Sequence, residues 1–179
     1  MVGSPRIVTS NAINVIFLDI DGVLLPFLSS GLKDLFPDRT LKALTSIIEQ
    51  SSSPNCKTEI VLSSTWRVQE RFRQDILRDF HRYGVNQGGP LKSIEFYDFT
   101  DPCMHSERQH EIFSWLCEND QKVAAWVALD DEELLEGDAN RAFRNTFDGH
   151  VVKTNSHRGL TMQDASEAVQ LLQEQKMKP

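Results

Sequence analysis

The sequence lacks any apolar run long enough to cross a membrane, and this absence excludes a protein with a membrane-spanning helix. A helix that spans a bilayer needs about 20 consecutive, mostly apolar residues. Residues 1–11 also lack the apolar segment that a secretory signal requires. We therefore expect an intracellular protein, located in the cytoplasm and without membrane partners.

Cysteine is scarce, and its spacing carries no motif. Cys56, Cys103 and Cys117 are the three cysteines of the chain, and no two of them form a C-x-x-C pair. This usage favours reduced thiols over a disulfide framework, in agreement with an intracellular location.

Basic residues are outnumbered by acidic ones. The chain has 19 Lys and Arg against 26 Asp and Glu, a net charge of −7. This balance argues against a surface that coats nucleic acid generally, since such a surface would be basic, but it leaves room for a small basic pocket. The chain also has no internal repeat, heptad pattern or low-complexity tail. Its 179 residues suffice for one domain, which we expect to span residues 1–179 with a core of about 14–175.

Short apolar runs alternate with helical patterns along the chain, which is typical of a parallel α/β sheet. The runs that read as strands are Val15–Leu18, Thr58–Leu62, Ser93–Phe99, Val123–Leu129 and His150–Lys153. The intervening helical patterns begin with a helix capped by Asp38. A second helix places Val68, Phe72, Ile76 and Phe80 on one face and closes at Tyr83-Gly84; a third, Ser106–Asn119, turns Ile112, Phe113, Leu116 and Cys117 inward. A capping box at Thr161–Asp164 opens the last helix. The predicted fold class is α/β, a three-layer sandwich around a mostly parallel sheet.

Two carboxylates follow the first strand, which is the most informative feature of the sequence. Asp19 and Asp21 come directly after Val15–Leu18, and Gly22 lets the chain turn. Side chains two residues apart in a strand point the same way, so these charges call for a cation or a shared proton. A simple turn that uses Asp to cap backbone amides is the alternative. A calcium loop fits badly, because its glycine and glutamate positions hold Leu24 and Ser30.

Two further strands also end in polar side chains. The second predicted strand is followed by Ser63 and Ser64, and the fourth by Asp130 and Asp131. Either group alone could cap the next helix, but the carboxyl ends of parallel strands meet at one edge of a sheet, where ligands bind. Carboxylates there can hold Mg²⁺ and attack phosphorus, forming an aspartyl-phosphate.

These strand ends, in this order, resemble the haloacid dehalogenase (HAD) superfamily. The resemblance implies a HAD-like Rossmannoid fold, with Asp19 as nucleophile, Asp21 as general acid and base, and Ser63 as the phosphate-binding hydroxyl, with Ser64 as the alternative. It also implies Mg²⁺ held by Asp130, Asp131, Asp19 and the backbone carbonyl of Asp21.

The same resemblance requires a cation beside the nucleophile. Arg108, at the start of a helix near the active edge, is our choice, and Lys122, just before the fourth predicted strand, is the competitor. The gaps between the motifs leave no room for a large cap domain. An open site of this kind suits a bulky or macromolecular phosphorylated substrate.

Within the superfamily, the segments Val61–Arg67, Arg108–Leu116, Trp126–Asp131 and Lys153–Thr161 resemble the HAD domain of Swiss-army-knife RNA-repair proteins. By this resemblance Arg67, with Ser64 and Gly22, is assigned to substrate binding, and Trp66 either stacks on a base or is buried. The expected function is a Mg²⁺-dependent phosphatase acting on a nucleic-acid end, a nucleotide or a phosphoprotein. A binding module without turnover and a phosphotransferase of the same superfamily remain the alternatives.

Overall fold

Five parallel strands form one sheet in a computed structural model of the protein, which describes residues 12–27, 34–102, 107–137 and 141–177. The strands are β1 (Ile13–Leu18), β2 (Thr58–Leu62), β3 (Phe96–Phe99), β4 (Val123–Asp130) and β5 (Val151–Lys153). Their order across the sheet is β3-β2-β1-β4-β5, and every neighbouring pair is parallel. The predicted α/β fold with a central parallel sheet is confirmed.

Helices cover both faces of the sheet and complete the three layers. They are α1 (Asp38–Ser51), α2 (Glu70–Gln87), α3 (Arg108–Asn119), α4 (Arg144–Phe147) and α5 (Met162–Met177). Short 3₁₀ segments occupy Thr65–Val68, Pro90–Lys92 and Asp120–Lys122. Helices α1, α2 and α5 share one apolar core with the sheet, while α3 and α4 share a second core on the opposite face. Among the described elements there is no separate cap.

The alternation of side chains along the strands decides which residues reach the α3 face. In β1, Ile16 and Leu18 belong to the core under α1, and Val15 and Phe17 belong to the core under α3. The same alternation places Val61 of β2 and Ala128 of β4 on the α3 side. Continued by two positions, it carries Asp19, Ser63 and Asp130 toward that side.

Several local predictions are confirmed. The strand β2 has the predicted bounds, and β4 extends one residue beyond its predicted end. The capping box at α5 is reciprocal, because Thr161 N donates to Asp164 Oδ2 over 2.8 Å and Asp164 N donates to Thr161 Oγ1 over 3.2 Å. The predicted start of α3 at Ser106 lies outside the described residues.

Two predictions about helix ends were wrong. Asp38 does not cap α1, because Pro37 holds the cap position and the Asp38 carboxylate instead accepts a hydrogen bond from Arg82. Gly84 does not close α2, which continues to Gln87. A Cβ atom on Gly84 would lie 2.1 Å from the backbone nitrogen of Lys92, so this glycine serves close packing rather than termination.

Two predictions about helix faces also need correction. On α3 the buried side chains are Gln109, Ile112 and Trp115, whereas Phe113 is 39% exposed. Cys117, also predicted to point inward, is exposed. On the second predicted helix, Ile76 and Phe80 are buried as expected, but Phe72, in the first turn of α2, is 36% exposed. Val68 is exposed because it belongs to the 3₁₀ segment that precedes α2.

Cys56 and Cys117 are free thiols, and Cys103 lies outside the described residues. Across the described ranges, no helix combines the length and the apolar content that a bilayer crossing demands.

Candidate active site

Three carboxylates meet at the carboxyl edge of the sheet. Oxygen atoms of Asp19, Asp130 and Asp131 all lie within 4.8 Å of one another. The sheet itself positions them, because Asp19 N donates to the carbonyl of Leu129 over 3.1 Å and so continues the β1–β4 ladder. Asp19 is 5% exposed and Asp130 1% exposed. Charges buried this closely are costly unless cations compensate them.

Arg108 supplies one such cation. It begins α3, and its guanidinium lies between two of the carboxylates, with Nη1 3.3 Å from Asp19 Oδ1 and Nε 3.5 Å from Asp130 Oδ2. Nη1 also donates to the carbonyl of Ser63. Burial by itself lowers the pKa of Arg108, but Asp130 and Asp19 outweigh it and the net pKa is raised. The guanidinium is therefore a fixed positive charge beside the predicted nucleophile.

Lys122, the alternative cation, lies elsewhere. It ends the 3₁₀ segment at the amino end of β4, and its Nζ donates to Asn119 over 3.3 Å. Because the carboxylates gather at the carboxyl ends of the strands, Lys122 belongs to the opposite edge of the sheet.

The carboxylate cluster has the character of a metal site. Asp130 Oδ1 accepts the backbone N–H of Glu132 over 3.0 Å, while Asp130 Oδ2 is buried without a hydrogen-bond donor among the described residues. Burial, together with the charge of Asp19, raises the pKa of Asp130 despite Arg108, and the same two causes raise the pKa of Asp131. A buried carboxylate oxygen that faces Arg108 but accepts no hydrogen bond from the described residues, within a group of three hard oxygen ligands, fits Mg²⁺.

Ser63 and Ser64 have different surroundings. Ser63 follows β2 directly and its N–H donates to the carbonyl of Leu18 over 3.0 Å, which places it beside the end of β1. The Ser64 hydroxyl caps the following 3₁₀ segment by accepting the N–H of Trp66, at 3.5 Å. The geometry therefore favours Ser63 over Ser64 for binding a phosphate.

Arg67 is fully occupied by the protein, contrary to its assignment to substrate binding. Its Nε donates to Thr100 O, and its Nη1 donates to the carbonyls of both Ser63 and Ser64, each over 2.7 Å. Its Nη2 lies 2.8 Å from the carboxylate of Glu111, and the side chain is 4% exposed. Arg67 thus fixes the backbone at Ser63 and Ser64 and links it to Thr100, just after β3, and to Glu111 in α3. The sequence could not show this, because Glu111 lies 44 residues away in the chain.

Gly22 has a packing role. Its φ of 71° is left-handed, and a Cβ atom there would lie 2.4 Å from the carboxyl group of Asp131. Its carbonyl accepts the hydroxyl of Thr154 over 3.0 Å, and Thr154 N donates to the carbonyl of Asp130 over 2.9 Å. Thr154, to which the sequence analysis gave no role, therefore joins the β1 and β4 loops. Its position just after β5, another strand end, was the available signal.

The Asp21 carboxylate does not belong to the cluster formed by the other three. The chain turns after Asp19, where the backbone N–H groups of Val23 and Leu24 donate to the carbonyl of Ile20, so the alternation that predicted parallel Asp19 and Asp21 side chains no longer applies at Asp21. Instead, Asp21 Oδ2 accepts the indole N–H of Trp66 over 2.8 Å. The Asp21 carboxylate is thus held apart from the three carboxylates that are suited to bind a metal ion.

The parallel Rossmannoid sheet and the acidic cluster at its carboxyl edge define a HAD-like fold. The family model described as the HAD domain in Swiss Army Knife RNA repair proteins matches residues 15–165, and the chain belongs to this family. It is accordingly a member of the superfamily of HAD-type hydrolases and phosphatases. Comparison with curated proteins and with solved structures found no significant match.

Proposed function

We propose that this protein is a Mg²⁺-dependent phosphohydrolase that acts through an aspartyl-phosphate on Asp19. The observation that carries the proposal is the placement of Arg108 between Asp19 and Asp130, beside an unsatisfied oxygen of Asp130. A surface turn would not bury two carboxylates against one guanidinium with a third carboxylate beside them. A nucleophile that must accept a dianionic phosphoryl group needs this compensation.

In the first half of the reaction, a carboxylate oxygen of Asp19 attacks phosphorus as the ester P–O bond breaks. Asp21, as the general acid, gives a proton to the departing oxygen, so the alcohol leaves neutral. Arg108 holds Asp19 in place and offsets its negative charge through its contact with Oδ1. Ser63 lies beside Asp19 and would donate its hydroxyl to an oxygen of the transferring group.

In the second half, the Asp21 carboxylate takes a proton from water as the water oxygen attacks phosphorus. The bond between phosphorus and Asp19 breaks, which returns the nucleophile and releases inorganic phosphate. Asp19, Asp130 and Asp131 would hold Mg²⁺, with the backbone carbonyl of Asp21 as a further ligand. The bound ion would supply charge compensation for the phosphoryl oxygens.

The proposed substrate is a bulky or macromolecular phosphomonoester, with a nucleic-acid end placed before a nucleotide or a phosphoprotein. Support comes from the name of the matched family and from the lack of a cap among the described elements. An exposed aromatic ring also lies near the site, because Phe72 packs against Trp66, which donates to Asp21; a second exposed ring, Phe27, contacts His157. Such rings can stack on unpaired bases. The net charge of −7 restricts this to a local contact rather than a broad basic surface.

The test is hydrolysis of an aryl phosphate with Mg²⁺ or with EDTA, comparing the wild type with Asp19→Asn. We expect turnover only with Mg²⁺, and a loss on the order of 10³-fold or more in the variant because the nucleophile is removed. Asp120→Asn, an exposed carboxylate at the opposite edge, is the matched control and should keep full activity.

Active protein would then be assayed on 3′- and 5′-phosphorylated oligonucleotides, a nucleoside monophosphate and a phosphoserine peptide. The highest kcat/KM on an oligonucleotide end supports the substrate proposal, and the highest value on the peptide overturns it. Turnover that survives in Asp19→Asn refutes the mechanism. A wild type that binds Mg²⁺ yet hydrolyses none of these substrates points to the binding module.

A further inference from the structure

Trp66 makes a side-chain contact with Asp21 that the reaction as described does not use. Its indole Nε1–H donates to Asp21 Oδ2 over 2.8 Å. The ring is held in turn, because Trp66 N donates to the Ser64 hydroxyl and the ring packs against Phe72 with centroids 5.1 Å apart. The indole also lies against the core beneath α1 and α2. It is therefore a fixed donor, while Asp21 lies in a loop.

An indole N–H donates and cannot accept, and it stays protonated throughout the pH range of proteins. Bound to Oδ2, it favours that oxygen as the unprotonated acceptor of the carboxyl group. One oxygen is thus anchored and the other is left to exchange the proton with the substrate.

We propose that Trp66 is a positioning residue for Asp21, which selects and aims the oxygen that gives and takes the proton. The inference rests on the proposed function. In the first step the proton moves from Asp21 Oδ1 to the departing oxygen as its bond to phosphorus breaks. In the second step Oδ1 takes a proton from the attacking water. Trp66 itself exchanges no proton and keeps its hydrogen bond to Oδ2.

The test uses leaving groups that differ in their need for a proton. Dinitrophenolate departs readily without one, whereas phenolate needs the acid, so their ratio of kcat/KM reports proton donation in the first step. Trp66→Phe keeps the ring and removes the N–H. We expect kcat/KM for phenyl phosphate to fall about tenfold further than for dinitrophenyl phosphate, the value of one hydrogen bond to the carboxylate charge that develops as the proton leaves Asp21.

If Trp66 had a merely structural role, Trp66→Phe would lower kcat/KM equally for both aryl phosphates. The molecule contains a matched control for this case. Trp115 Nε1 donates to Asp98 Oδ2, also over 2.8 Å, outside the carboxylate cluster. Trp115→Phe therefore removes an equivalent indole–carboxylate bond and should leave the ratio of the two substrates unchanged. In an Asp21→Asn background, Trp66→Phe should cause no further change in the ratio, because the acid is already absent.

A second measurement needs no activity and no Trp66 variant. In ¹H–¹⁵N spectra of the wild type and Asp21→Asn, the indole N–H signal of Trp66 should move while that of Trp115 stays in place. An unmoved Trp66 signal, or an equal loss on both aryl phosphates in folded Trp66→Phe, overturns the inference. If Asp21→Asn itself leaves the ratio of substrates unchanged, the proposed role of Asp21 fails, and the inference fails with it.

Discussion

Replacing Arg108 by methionine tests the electrostatics of the site most directly. Methionine keeps a long, apolar side chain at the start of α3 but removes the only guanidinium found among the three carboxylates of the described site. Two of these carboxylates, Asp19 and Asp130, then lie buried with 7% and 1% of their side chains exposed and no cation in contact. The fold must hold this charge without compensation.

The expected cost follows from the contacts. Arg108 faces Asp19 at 3.3 Å and Asp130 at 3.5 Å, and its own side chain is 9% exposed. Removing one partner of a buried ion pair typically costs about 3–5 kcal/mol, because the remaining charge stays desolvated. We expect the free energy of unfolding to fall by about this amount at pH 8. That is a large share of the roughly 5–15 kcal/mol that stabilises a typical protein.

The pH dependence has a definite sign. Burial raises the pKa of Asp130 to about 7, although Arg108 lowers it, so removing Arg108 raises this pKa further. Between its unfolded value and this raised pKa, the folded protein binds a proton that the unfolded chain does not. The resulting stabilisation is present at acidic pH and is lost as the pH rises through the folded pKa. The cost of Arg108→Met should therefore be smaller at pH 5 than at pH 8.

The assay is urea unfolding followed by circular dichroism, at both pH values, with EDTA or with Mg²⁺. Mg²⁺ should stabilise the variant more than the wild type, since the ion no longer competes with a guanidinium. At a hundred times the dissociation constant the gain is about 2.7 kcal/mol. Arg71→Met is the control, because Arg71 is 86% exposed and 4.0 Å from its partner. A cost below about 1 kcal/mol at pH 8, or an equal cost at both pH values, refutes the reasoning.

Two glycines give further predictions. Gly22→Ala places a Cβ atom 2.4 Å from the Asp131 carboxyl group, so we expect the variant to need a higher Mg²⁺ concentration for half-maximal activity. Gly149→Ala is the control, because Gly149 has a similar φ of 75° but open space around it, and this variant should leave that concentration unchanged. Gly84→Ala brings Cβ within 2.1 Å of the backbone of Lys92. Urea unfolding should show a loss of about 1–3 kcal/mol, against the gain of about 1 kcal/mol that helix propensity alone predicts.

Most of the fold follows from local sequence patterns. Short apolar runs mark the buried strands, residues 60–62 in β2 and 123–129 in β4, so both strands could be placed to within one residue. Helix boundaries were harder to predict, because tertiary contacts decided them. Gly84 has the residue type of a helix stop, yet the neighbouring backbone of Lys92 requires a glycine inside the helix. Likewise Val68 continues the spacing of α2, but the preceding 3₁₀ turn directs it to solvent.

The site divides in the same way. The gathering of Asp19, Ser63 and Asp130 could be predicted, because the carboxyl ends of parallel strands meet at one edge of the sheet. The different roles of Arg67 and Arg108 could not be predicted, since both arginines lie near the carboxyl edge of the sheet. Arg67 is consumed by three carbonyls and Glu111, whereas Arg108 faces the carboxylates. Only contacts between residues distant in the chain distinguish the roles of these two arginines.

Charge balance connects the stability of the site with its proposed chemistry. When ionised, the carboxylates of Asp19, Asp130 and Asp131 carry three negative charges, of which Arg108 offsets one. The remaining two repel a phosphate dianion and, with two of these carboxylates almost wholly buried, oppose folding. A divalent cation at the unsatisfied Asp130 Oδ2 would remove both penalties together. The two negative charges that Arg108 does not offset would therefore favour the binding of Mg²⁺. The bound ion would in turn reduce the repulsion between the site and a phosphate dianion.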